Sequence, residues 1–363
     1  MRSSFLAATI AAMLCGVAHA QVTFMPLQTQ GAQLTKISGD GLYATGQVGL
    51  GGALRWTVFN SPQEEVVTGL AHSGGINNWG SLSVSVPVNG GSTGGGTNVG
   101  AYVVTGSSVP VPFTSTLSDN SDAWDLADDG TMIGSSSDQS FITSNAYVWT
   151  PANGMSLLPV NRPNRYSRAD RISADGRTII GYNDQNSGQR TAVVWQNGVV
   201  TDLVDAAGTP LNAADGISSN GRFVVGEYYT DAGGNPGGWR WDSQTGEVIL
   251  IPGMASARGV SDDGKTVVGS TDTFAFPAQA AMLWREGVGT VPLVDFLADN
   301  GVSIPTNWDP NLAGSFSAIS GDGLLLGGWT ADITTFIKQS YLIQIVPVAD
   351  DTIFEDGFDG ATP

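Results

Sequence analysis

Aspartate recurs along this chain at one place in a short motif, and a recurrent carboxylate is the first feature that could do chemistry. The motif is apolar-Ser-x-Asp-Gly: Ile37-Ser38-Gly39-Asp40-Gly41, Ile172-Ser173-Ala174-Asp175-Gly176, Val260-Ser261-Asp262-Asp263-Gly264 and Ile319-Ser320-Gly321-Asp322-Gly323. Leu126-Ala127-Asp128-Asp129-Gly130 and Ile217-Ser218-Ser219-Asn220-Gly221 are near-copies. Gathered in one place, such acids would suit a calcium ion or carboxylate catalysis. Turn chemistry explains them more simply. Asp-Gly and Asn-Gly supply the positive φ values of tight hairpins, and Ser and Asp side chains bond local backbone. Asn220 in the place of Asp favours the turn, because a charge-dependent site would resist that exchange.

Other reactive residues are sparse. His72 is the only histidine after residue 20, which excludes a His-rich metal site and makes any Ser-His-Asp triad depend on that one ring, next to Ser73. The Gly-rich run Gly90 to Gly100 lacks the Lys-Ser/Thr and the helix of a phosphate loop. The in-register tryptophans Trp56, Trp149, Trp195, Trp241 and Trp284 could stack sugars, but their regularity points to core packing between repeats. No catalytic constellation, metal-ligand set or cofactor motif emerges.

The irregular positions are more informative. The two residues before each motif vary: Thr35-Lys36, Gly74-Gly75, Trp124-Asp125, Asp170-Arg171, Asp215-Gly216, Arg258-Gly259 and Ser317-Ala318. They lead into the strand that lies nearest the axis of a ring-shaped fold. Trp124, Asp125, Asp170, Arg171, Asp215 and Arg258 are therefore the candidate ligand-binding residues, at a funnel mouth. Solvated residues paired across neighbouring repeats are the plainer alternative.

These positions belong to a repeat. After each motif comes an apolar run ending in another glycine, at Gly46, Gly134, Gly181, Gly226, Gly269 and Gly328, which reads as a hairpin. An Ala-x-x-Trp segment follows, at Ala53 to Trp56, Ala146 to Trp149, Ala192 to Trp195 and Ala281 to Trp284, with Gly238 to Trp241 as a variant. A fourth apolar stretch then closes most copies, in the sixth at Val291 to Phe296. The long gap between Gly41 and Gly130 holds a degenerate copy, Ile76-Asn77-Asn78-Trp79-Gly80. Seven copies at a mean period of about 47 residues, each with up to four short strands, predict an all-β, seven-bladed β-propeller. The last copy lacks a clear fourth strand. Val22 to Leu27 resembles one, so the N-terminal strand is expected to close the ring. The one expected helix is Leu293 to Asn300, inside an insertion spanning 293–314.

The Ile-Ser-x-Asp-Gly, Val-Val-Gly, Ala-x-x-Trp cycle resembles the HAF-type extracellular repeat proteins of bacteria. So does the insertion, with Leu293-Val294-Asp295-Phe296-Leu297, Gly301 and Trp308. The resemblance covers residues 22 to 346 and implies an exported repeat protein, with no catalytic residues to carry over. Asn77 and Trp79 in the second copy and Ala127 in the third depart from it. The tail Ile353-Phe354-Glu355-Asp356-Gly357-Phe358 resembles a short acidic ending of various secreted bacterial proteins.

Composition narrows the function further. Of 363 residues only 13% are charged, and 33 acids against 15 bases leave a formal net charge of −18. That balance disfavours phosphate-tracking partners and anionic membrane surfaces, so neither nucleic acid nor membrane insertion is expected. Arg2, the apolar run Phe5 to Leu14 and Ala18-His19-Ala20 form a signal peptide over 1–20. The only cysteine, Cys15, lies in it with Leu14 where an acylated cysteine wants a small neighbour, so plain cleavage is expected and the mature chain is cysteine-free. The reading is a secreted monomer, extracellular or periplasmic, with a propeller over 21–346, an acidic tail over 347–363 and no cofactor. It acts as a non-catalytic binding module for an extracellular glycan or protein. The alternatives are a polysaccharide hydrolase or lyase with carboxylates at the mouth, and a structural envelope protein.

Overall fold

In the computed structural model, seven four-stranded antiparallel sheets stand around a central axis. The structure describes residues 20–58, 63–88, 97–113, 120–137, 144–229, 236–271 and 280–347. The segments expected to be a signal peptide and an acidic tail lie outside them, apart from Ala20 and Pro347 at their edges. Blades one to six span 32–68, 72–112, 120–157, 167–202, 213–251 and 256–292 in simple up-and-down order. Blade seven takes three strands from Gly314–Ile319, Leu325–Ala331 and Lys338–Val346, and its outermost strand is Gln21–Pro26 from the other end of the chain. The expected closure is therefore present. It removes the open edge that would otherwise remain on Lys338–Val346.

Each part of the repeat has a structural job. The Ser-x-Asp-Gly segments are the turns between the first and second strands. In blade four the Ser173 hydroxyl donates to Asp175 (2.7 Å) and accepts from the Thr178 N–H (3.1 Å), while Asp175 accepts from the Arg177 N–H (3.0 Å). Asn220 does the same work in blade five, accepting from the Ser218 hydroxyl and the Arg222 N–H. The glycine that follows has φ near +74° in these turns, a conformation that L side chains resist. The second glycine answers to something else. The innermost strand bulges at one place in every blade, and in six of them the residue ahead of the bulge faces this glycine. The bulge drives an inner-strand carbonyl to about 1.9 Å from where a Cβ of Gly134, Gly181 or Gly226 would stand.

The core is divided like the ring. Seven clusters of buried apolar side chains each bridge two neighbouring blades, and the recurrent tryptophans sit in them. Trp56 is fully buried between blades seven and one, Trp195 lies between three and four, and Trp284 between five and six. Trp149 and Trp241 are only partly buried, and in blade five Trp239 takes the fully enclosed place. The insertion caps the sixth and seventh blades. Its helix Leu293–Asp299, preceded by Pro292, buries Leu293, Phe296 and Leu297 against a cluster containing Trp308, Phe316 and Tyr341. Among the described residues no helix is long and apolar enough to cross a membrane.

The turns also form a hydrogen-bonded belt around the axis. Asn78 accepts from the Asp40 N–H and donates to Asp128; the Asp128 N–H donates to Ala174 and the Ala174 N–H to Ser219. The Asp262 carboxylate accepts from the Asn220 N–H, the Asp262 N–H donates to Gly321, and the Gly321 N–H returns to Gly39. Every blade is thus tied to the next at this end, here called the turn face.

Candidate functional site

The variable pairs of the sequence are the bulges. Thr35, Trp124, Asp170, Asp215, Arg258 and Ser317 are the extra residues that drop out of the ladder, and in blade two Gly74 and Gly75 fill the gap. A bulge frees its residue from cross-strand pairing and re-aims it, so the fold tolerates almost any side chain there. That is the physical origin of the variability.

The six candidate residues do not form one mouth. Asp125 is fully buried inside the ring: its carboxylate takes the Lys36 ammonium of blade one (2.5 Å) and the Ile172 N–H of blade four (3.1 Å). Lys36 reaches it past blade two because Gly75 has no side chain, and a Cβ there would lie 1.8 Å from the carboxylate oxygen. Arg171 and Arg258 line the axial channel with Lys36 and a ring of Ile37, Ile76, Leu126, Ile172, Ile217 and Ile319. The channel cavity is only about 60 Å³, room for a few waters. Pockets that enclose a small ligand run to several hundred.

Trp124, Asp170 and Asp215 form a second group, toward the end away from the turns. Trp124 is sandwiched between the His72 ring (centroids 4.6 Å apart) and the Arg168 guanidinium (4.6 Å). Arg168 stacks in turn on Tyr182 (5.2 Å), and Arg190 lies on the Tyr182 ring at 4.3 Å. Both faces of the Trp124 indole are therefore occupied, and it offers no open platform for a sugar ring. Arg168 donates to Asp170 (2.6 Å), and Arg258 stands 4.0 Å from Asp215. Asp215 Oδ2 is buried and has no hydrogen-bond donor, while Glu227 on the adjacent strand of blade five accepts from the Tyr229 hydroxyl (3.1 Å) and lies within reach of Ser256. Burial pushes the Asp170, Asp215 and Glu227 carboxyls above the usual carboxylate range. Arginines oppose it at all three, and the Asp215 charge adds to it at Glu227.

Sequence reasoning missed Arg168, Tyr182 and Glu227. Arg168 stands two places before Asp170, so it falls on the same side of its strand, and that spacing was the available signal.

His72 has a serine and an aspartate beside it, but not in a working triad. Its Nε2 is 3.1 Å from the Ala123 carbonyl and 3.4 Å from Ser85 Oγ, and its Nδ1 is 3.5 Å from Asp122. Ser85 is fully buried, and its hydroxyl accepts the Ala123 N–H (3.1 Å). The group fastens blade two to blade three. Burial holds His72 below its ordinary pKa, against the pull of Asp122. Among the described residues no three His, Cys, Asp or Glu side chains are placed to hold a metal ion.

The raised Asp215 carboxyl has a consequence for stability. The folded state holds this proton more tightly than the unfolded chain. The favourable contribution is therefore complete below the unfolded pKa of about 4 and is lost as pH rises through the higher folded value. Above the unfolded pKa the buried group therefore costs stability. Asp215→Asn is expected to melt a few degrees above the parent at pH 7, with the gap closing below about pH 4. Thermal melts across that range check it, and equal melting temperatures at pH 7 would refute it.

No protein-family model matches the chain, and no curated protein matches it in sequence. Solved structures match its shape. The β-propeller domain of the Trilobed protease from Pyrococcus furiosus is 10% identical, over 90% of this chain and 99% of that one, with a TM-score of 0.56. The WD40 repeats of RRP9 are 12% identical, over 89% and 97%, with a TM-score of 0.53. A putative TolB from Agrobacterium tumefaciens is 18% identical over 64% of this chain and 89% of its own, with a TM-score of 0.46. At these identities the likeness is one of fold: the chain is a seven-bladed β-propeller.

Proposed function

We propose that the chain is an exported, non-catalytic interaction module that takes an extracellular glycan or protein at the end away from the turns, in keeping with its resemblance to the HAF-type repeat proteins. One observation supports this best. Charged side chains from three neighbouring blades, Arg168 and Asp170, Asp215 and Glu227, and Arg258, gather on a rigid ring, and a buried Asp215 oxygen among them lacks a donor. Sugar hydroxyls and side-chain N–H groups are the donors that such acceptors take. The export signal over 1–20 makes the partner extracellular or periplasmic, and the module acts as a monomer.

A second reading rests on the raised Asp170 and Asp215 carboxyls. A carboxyl whose proton is held more tightly by burial is what a general acid needs, so a polysaccharide hydrolase or lyase would use this same place.

One experiment separates the two. The mature chain, Gln21 to Pro363, is incubated with a panel of bacterial and plant polysaccharides, and the supernatants are assayed for released sugar. Retention without release supports the module, and Ala replacements of Asp170, Arg171 and Arg258 should weaken it about tenfold. Released sugar would make the chain an enzyme. Retention that survives all three replacements would remove the site assignment.

A further inference from the structure

We infer that the turn face carries a separate docking surface, built on Trp79 and the acidic bowl beside it, for a basic, apolar-bearing polypeptide segment of a partner protein. It lies at the opposite end of the ring from the site proposed above and does not depend on it.

The argument starts from the one turn that differs. In the other six blades this turn position holds Asp40, Asp129, Asp175, Asn220, Asp263 or Asp322, and each accepts a turn N–H. Blade two has Trp79, which is 66% exposed. Its turn survives because Asn77 Oδ1 accepts the N–H groups of both Trp79 (3.1 Å) and Ser81 (2.9 Å). The Ser81 bond is the one that the turn aspartate or asparagine makes in the other blades. Asn77 thus releases position 79 from turn duty, and nothing in the fold calls for an aromatic ring there.

The ring is nevertheless held in place. Trp79 Nε1 donates to the Asp128 carbonyl (3.1 Å), and the Thr105 hydroxyl donates to the Trp79 carbonyl. Beneath them Arg55, 3% exposed, pairs with Glu65 and donates to the carbonyls of Gly80, Val104 and Ser107. One buried guanidinium therefore locks the Trp79 turn and the Val104–Ser107 connection into a single body. Val104, Val109 and Leu42 on this rim are 46%, 67% and 42% exposed. Single exposed apolar residues are ordinary, whereas a group fixed by a buried arginine is a preorganised contact surface.

Beside it opens a bowl of about 460 Å³ lined by Asp128, Asp129, Asp175, Asn220 and Asp262. Arg177, 3.8 Å from Asp175 and itself 83% exposed, is a loose counter-charge. Charge complementarity selects the occupant. The carboxylates call for ammonium or guanidinium groups, and the indole for an apolar side chain or a cation over its face. An extended segment with basic and apolar side chains in succession supplies both.

The test uses a fluorescein-labelled peptide, Lys-Leu-Lys-Phe-Lys-Leu, its counterpart with Glu for Lys, and a glucosamine tetramer as competitor, read by anisotropy on the full mature chain. Two variants keep the turns intact. Trp79→Asn installs the residue that blade five uses, and Asp129→Asn with Asp175→Asn copies Asn220. Phe336→Ser, at an 80% exposed apolar position on the opposite end, is the control. The expected result is binding of the Lys peptide only, about tenfold weaker in each turn-face variant, unchanged in Phe336→Ser and weaker at high salt. Three results would overturn the proposal: no binding, a loss on removing charge with none on removing Trp79, or tight binding of the glucosamine tetramer with the peptide excluded. The last would point to an aminoglycan.

Discussion

Replacing Asp125 by Ala is expected to destabilise the ring by about 3–5 kcal/mol, the range for breaking a buried charge pair from one side. The carboxylate is fully buried and joins three blades at one point. It accepts from Lys36 of blade one, from the Ile172 N–H of blade four and from its own strand at Leu126 (2.9 Å). Its loss leaves an ammonium and a backbone N–H in a channel with room for only a few waters. Denaturant unfolding measures the loss, and the double variant Lys36→Met with Asp125→Ala should recover part of it, because no unpaired charge remains. A loss below about 1 kcal/mol would mean that water replaces the carboxylate freely. Ligand binding at the opposite end should change little in variants that still fold.

Removing residues 21–26 should be comparably damaging, and in a way that betrays its cause. The strand pairs along its whole length with Lys338–Val346, from Gln21 opposite Val346 to Pro26 opposite Tyr341. Phe24 stacks on Tyr341 (5.2 Å) and meets Trp308 of the insertion edge-on (5.7 Å), so the insertion clamps the closing strand. Val22 is buried in the same cluster. Burial of Val22 contributes about 1.5–3 kcal/mol, and the partly buried Phe24 adds to it, before the strand's backbone pairing is counted. The shortened chain, beginning at Leu27, is expected to melt at a lower temperature and to self-associate through the bared edge of Lys338–Val346. Adding the peptide Gln-Val-Thr-Phe-Met-Pro should reverse both effects. A truncated chain that stays monomeric at the parent's melting temperature would show that the insertion and the turn belt hold the ring without the strand.

The fold was legible because its repeat is written in residues with local jobs. A turn needs a glycine at positive φ and a side chain to hold its N–H groups, so Ser-x-Asp-Gly or a near-copy is readable in six of the seven copies. Element ends were less so. The fourth strand of blade six, expected over Val291 to Phe296, stops at Pro292, and the helix begins at Leu293. Apolar residues there suit either state, and packing of Leu293, Phe296 and Leu297 against the seventh blade favours the helix.

The site was legible only as variability. The pairs ahead of each motif do mark positions that the ladder does not constrain, because each contains the bulge. What each side chain does there depends on its neighbours around the ring. Asp125 became a buried tie because Lys36 lies across a side-chain-free Gly75, partners 89 residues apart in the chain. Trp124 lost its open faces to His72 and Arg168 from the flanking blades.

By itself, then, the sequence determined the number of blades, the turn chemistry and the strand that closes the ring, since these follow from local backbone preference and a period that repeats. The tertiary structure alone decided which charges are consumed inside the ring and which face outward. Neighbouring blades meet about one period apart, and whether a carboxylate finds a cation, a backbone N–H or water is set by geometry across that interface.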